Sequence, residues 1–277
     1  MNRSNASVAV PSLSVDTQAA KYQSIVLQAL AGLSDGDRRP ETLHRVRVHL
    51  RRLQAHLELA GKDESAAVLS RCVSRLSRLR TLHVFAGYLV RIGAPKSDRD
   101  AVQELVELTS AKLLEKNVYD KMERVVWRHA LPAEPTNAGW LDKRFAALAQ
   151  LHMTVLEELL ATASKKPRRK RLHALRLRIK SIRYQEEWAP GRDPAKTRFL
   201  GRLKDVQTIL GKYEELAEFK KLGEKLKLES KPRIVKDWRR ARKRARAVPD
   251  RLGWLLKRLA MRRCATEVQA AGAGMAG

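Results

Sequence analysis

The chain has 277 residues, with 57 Lys or Arg against 30 Asp or Glu, so it carries a formal charge of +27. A hydrophobic content of 44% suffices for a buried core and excludes global disorder. Aromatics at 5% argue against base-stacking platforms, and two cysteines, Cys72 and Cys264, exclude a disulfide framework or a four-thiolate zinc site.

Residues 1–16 are rich in Ser, Asn and Pro without periodicity and read as a loose segment, too polar for a secretory signal. From Thr17 the apolar residues fall at helical spacing, ending at Ser34-Asp35-Gly36-Asp37. Helices are predicted over about 41–60, 64–92 and 98–130, with a candidate break near Asn117. Two prolines and a glycine between Leu131 and Gly139 mark a linker, placed at 132–139. Helices are then predicted near 140–163, 168–189, 195–228 and 231–265, with a disordered Ala/Gly tail over 266–277. Sustained alternation and hairpin dipeptides are lacking, so the fold class is all-α. No apolar run approaches the ~20 residues of a membrane span, and the expected protein is soluble, cytoplasmic and cationic, with a polyanionic partner.

The series contains a repeat. Leu43–Leu59 (LHRVRVHLRRLQAHLEL) aligns with Leu172–Trp188 (LHALRLRIKSIRYQEEW), with Leu43/Leu172, His44/His173 and Arg47/Arg176 identical. Leu76-Ser77-Arg78-Leu79-Arg80 likewise aligns with Leu200-Gly201-Arg202-Leu203-Lys204, and Gly87 with Gly211. Two related four-helix halves, residues 17–131 and 140–265, follow each other, with pseudo-two-fold packing the simplest arrangement.

On a helical projection Leu43, Val46, Leu50, Leu53 and Leu57 share one face, within about 80°. His44, Arg47 and Arg51 border it, as His173, Arg176, Lys180 and Arg183 do in the second copy. Basic residues at this spacing usually mark a solvated face. Here they lie beside the apolar seam, and Leu172–Gln185 contains no carboxylate to neutralise them. Two such stripes favour an anion site, because guanidinium groups clamp phosphate oxygens bidentately and one helical turn suits a row of phosphates. Lys231–Arg246 holds nine basic residues and one acid, and reads equally well as a solubilising or a polyanion-adhesive helix.

Catalytic signatures are lacking. His44, His49 and His56 are spaced so that they do not converge on one metal, and the chain has no phosphate-cradling glycine loop, CxxC or serine elbow. No cofactor or metal is expected, and the protein is read as a non-enzyme.

The blocks His44-x-x-Arg47-x-x-x-Arg51-Arg52-Leu53 and His173-x-x-Arg176-x-x-x-Lys180-x-x-Arg183-Tyr184 resemble the signature of CHAD domains. Leu203-Lys204-Asp205-Val206-Gln207-Thr208-Ile209-Leu210-Gly211 is similar to that family's LKxLQxxLG stretch, and Gly253-Trp254-Leu255 to its closing Gly-Trp motif. The resemblance covers about residues 17–265. It implies two four-helix bundles about a basic central surface or pore, binding of inorganic polyphosphate without hydrolysis, and association with polyphosphate granules. Carried over by motif position, it implies phosphate contacts at His44, Arg47, Arg51, Arg52, His173, Arg176, Lys180 and Arg183, with Arg78, Arg80, Arg202 and Lys204 as second-rank candidates. The family's usual Arg-Asp-x-Asp-Val is replaced by Arg80-Thr81-Leu82-His83-Val84, which raises the local positive potential. General nucleic-acid binding is the alternative, since +27 on helices attracts any phosphate backbone. No helix-turn-helix signature or base-reading Asn or Gln on the basic faces favours it.

Overall fold

The computed structural model describes the backbone of residues 15–131, 138–188, 194–258 and 260–261. The proposed loose segment (apart from its last two residues), most of the 132–139 linker and the 266–277 tail lie outside these residues. The described chain is helical, with α1 Val15–Ser34, α2 Pro40–Leu59, α3 Asp63–Arg75, α4 Ser77–Arg91, α5 Lys96–Glu115 and α6 Val118–His129. After the linker come α7 Ala138–Lys165, α8 Arg169–Trp188, α9 Pro194–Lys225 and α10 Lys231–Arg246, then a 3-10 turn at Pro249–Arg251. No strand occurs among the described residues.

α2 starts where Pro40 needs no N–H partner and Glu41 faces the positive helix end, and it stops at Gly61, whose φ of 65° is left-handed. It buries Leu43, Val46, Leu50, Leu53 and Leu57, the face its periodicity predicts. Burying such a Leu stabilises by about 2 kcal/mol each.

Three predicted helices are shorter than expected. The 64–92 helix is two, α3 and α4, broken at Leu76. No glycine or proline causes the break. The Val73 carbonyl there accepts from the Arg47 guanidinium and, at 3.2 Å, from the Ser77 hydroxyl. The 98–130 helix is also two, separated by Asn117 with φ 48°, a conformation Asn tolerates better than most residues. Six helices therefore precede the linker where four were expected. The 231–265 helix ends at Arg246, because Pro249 removes a donor and clashes with the preceding turn; residues 253–258 resume as a separate turn.

The two halves share one core. α2 packs on α8 and α4 on α9, so elements aligned by the internal repeat meet across the middle of the molecule. Phe85 of α4 stacks on Phe219 of α9 at 4.6 Å, and the Trp188 indole donates to the Arg52 carbonyl at 3.0 Å. The buried Asp98 of α5 accepts the backbone N–H groups of Glu229 (3.0 Å) and Ser230 (2.8 Å), holding the turn that leads into α10 from the other half.

Candidate anion-binding site

Because the basic stripes border the apolar seams of α2 and α8, packing those seams together brings both stripes to one cavity. Its volume is about 340 Å³, between α2, α8, the start of α4 and the middle of α9. His44, Arg47, Arg51, Arg80, His173, Arg176 and Lys180 line it, with Tyr184 on the α8 side.

Four of these cations have no carboxylate partner among the described residues: Arg47, Arg51, Arg176 and Lys180. Arg47 is pinned by the Val73 carbonyl and by Ser77 Oγ at 3.1 Å. Arg51 donates to Gln54 Oε1 at 2.7 Å. The Nε–H groups of Arg51 and Arg176 are buried and find no acceptor among the described residues. Orphaned buried donors of this kind are costly and rare. Both belong to residues that line the cavity.

The electrostatics agree. Burial, then the charges of Arg51, Arg176, Arg47 and Arg183, push the Lys180 ammonium down to about 7. Burial and then Arg80 and Arg51 lower Arg47 to about 10. Burial and then Arg80, Arg47 and Lys180 lower His44, which sits at the exposed mouth. The cations of α2 and α8 lie within reach of each other: the charge of Arg176 acts on Arg51, and that of Arg47 on Lys180.

The other sequence candidates lie elsewhere. Arg52 pairs with Glu187 at 2.9 Å and stacks over Tyr22. Arg183 lies over the Tyr184 ring and is held by Gln207 and Glu187, close enough to act on Lys180 but off the cavity wall. Arg78, Arg202 and Lys204 are exposed and do not line the cavity, and Arg202 sits over Trp254 instead.

Sequence reasoning missed the α9 wall. Glu214, Glu215 and Glu218 line the cavity beside Gln207 and Gly211. Glu215 pairs with Arg80 at 2.9 Å, and Glu214 with Arg169 at 2.7 Å, with His173 Nδ1 3.4 Å away. Arg169 also binds Glu218, and these carboxylates raise its pKa against the opposing effect of burial. A signal was available: 207, 211, 214 and 218 fall on one helical face. A Cβ at Gly211 would stand 3.5 Å from Arg176 Nε, in ordinary contact, which leaves little room there for a larger side chain. Among the described residues no His, Cys, Asp and Glu cluster could hold a metal ion, and no helix is long and apolar enough to cross a membrane.

An all-helical protein with a cationic cavity between two repeated helices is the class that fold and site define. Residues 19–224 match the CHAD domain, and the chain belongs to that family. The crystal structure of the CHAD domain from the plant Ricinus communis superposes with a TM-score of 0.59 at 18% identity. The match covers 93% of this chain and 95% of that one, a likeness of fold. A search of curated proteins finds no match.

Proposed function

We propose that this chain binds inorganic polyphosphate in the cavity between α2, α4, α8 and α9 and does not hydrolyse it. The observation that carries this reading is the convergence of Arg47, Arg51, Arg176 and Lys180, unpaired among the described residues, with two orphaned guanidinium N–H groups in one cavity. Membership of a family linked to polyphosphate binding supports it. Phosphate oxygens would supply the missing acceptors, and a linear phosphate chain would neutralise several closely spaced cations at once. His44 at the mouth and His173 beside Glu214 would donate hydrogen bonds and take no phosphoryl group. Storage or organisation of polyphosphate in cytoplasmic granules is the setting that fits a binding protein without chemistry of its own.

The two halves are read as copies of one ancestral unit about a pseudo-dyad, elaborated in the first half by breaks in its third and fourth helices. Packing of α2 on α8 and α4 on α9 supports this, because a two-fold axis brings each element onto its own counterpart.

The test is a competition titration at physiological salt. Labelled long-chain polyphosphate is challenged with RNA, duplex DNA and short phosphates at equal phosphate concentration. Polyphosphate alone should compete well; equal competition by nucleic acids would show that charge alone is responsible and overturn the reading. Reversing Arg47, Arg51, Arg176 and Lys180 to Glu should remove binding while helical circular dichroism persists. Wild-type affinity in that variant would dismiss the cavity as the site.

A further inference from the structure

The cavity is electrically divided. On the α2 and α8 walls Arg47, Arg51, Arg176 and Lys180 have no ion-pair partner among the described residues, whereas Arg80, His173 and neighbouring Arg169 meet carboxylates carried by α9. Thr81 and His83, the neighbours of Arg80 on α4, offer no negative charge to it. Its carboxylate comes instead from the facing helix: Glu215 and Arg80 both line the cavity and pair at 2.9 Å, each side chain about a quarter exposed (25% and 29%). The ion pair therefore lies in the space a ligand would enter. A carboxylate on a fixed helix presents two oxygens in the geometry by which guanidinium recognises phosphate.

We propose that Glu215 is a built-in stand-in for a ligand phosphate, holding Arg80 in the free protein and giving it up when a polyphosphate chain enters. The inference rests on the polyphosphate reading of the same cavity. The open cations receive the first phosphates, and the exchange of Arg80 from carboxylate to phosphate sets how tightly longer chains are held. Such an arrangement keeps Arg80 ordered before the ligand arrives, at the cost of a weaker complex.

The test is a double-mutant cycle on long-chain polyphosphate affinity, with wild type, Glu215→Gln, Arg80→Gln and the double variant compared at one salt concentration. Circular dichroism and thermal melting check that each variant folds; the Glu215→Gln change is isosteric. With Arg80 in place, Glu215→Gln should tighten binding about fivefold, the scale of a partly exposed charge pair. In the Arg80→Gln background the gain should shrink to the small part that Glu215 exerts through its field on Arg176. Equal gains in both backgrounds would mean that Glu215 acts only through its field, and would overturn the inference while wild type still binds. A loss of affinity in Glu215→Gln would overturn it too, by making the ion pair part of the bound state. Wild type failing to bind polyphosphate would sink the functional reading and this inference together.

Discussion

Binding should take up a proton at Lys180. In the free protein its ammonium titrates near 7, pushed down by burial and by the charges of Arg51, Arg176, Arg47 and Arg183. A phosphate chain in the cavity neutralises those neighbours and should return it toward the ordinary lysine value of about 10.4. The complex then holds a proton that the free protein lacks between those two values, so affinity falls as pH rises through that window. For a single site and a full return to that value, the fall between pH 7.5 and 9 reaches at most about 20-fold, or about 1.9 kcal/mol. Internal phosphates of a long chain are strongly acidic and stay ionised throughout, and Arg47, near 10, stays protonated. Calorimetry in two buffers of different ionisation heat should find about 0.9 proton absorbed per site at pH 8. Lys180→Arg should abolish both the uptake and the slope. A wild-type protein with flat affinity from pH 7.5 to 9 and no proton uptake would refute the reasoning.

Lys180 also burdens the free protein. The unfolded chain binds its proton more tightly, so the penalty is full below pH 7 and is relieved as pH rises toward the unfolded value. Lys180→Met should raise unliganded stability by about 2 kcal/mol at neutral pH while weakening polyphosphate binding, read by thermal melting and titration together. Asp98→Ala should cost about 2 kcal/mol in urea unfolding, because the Glu229 and Ser230 amides in the turn before α10 lose their acceptor. Gly211→Ala should be tolerated, since its Cβ would meet Arg176 Nε at 3.5 Å in ordinary contact. Gly211→Leu should displace that guanidinium and weaken binding several-fold with helicity unchanged, which parallel titrations and circular dichroism would check.

The all-helical class and the two basic stripes were legible because they are periodic, and periodicity survives in one dimension. Leu43 to Leu57 bury the face their spacing marks. The break at Leu76 was illegible: its residues are compatible with helix, and what accompanies the break is Arg47 reaching Val73 from another helix. The end of α10 was legible in Pro249 and was overridden by the surrounding apolar spacing. For the cavity, motif position named seven of the residues that converge, including Arg80. It also named Arg52 and Arg183, whose carboxylate partner Glu187 lies on α8 and meets Arg52 only when the halves pack. Glu214, Glu215 and Glu218 carry no mark in the basic motif, because a site's counter-charges come from whichever helix happens to face it.

The nearness of Arg51 to Arg176 and of Lys180 to Arg47 across α2 and α8 has a consequence for direction. A strand of nucleic acid reads differently from its two ends, so a groove that orients it must itself be polar. A chain of orthophosphate units is the same read forwards or backwards. On the proposed reading, two packed helices that present cations from both sides would accept such a chain in either sense and anywhere along its length.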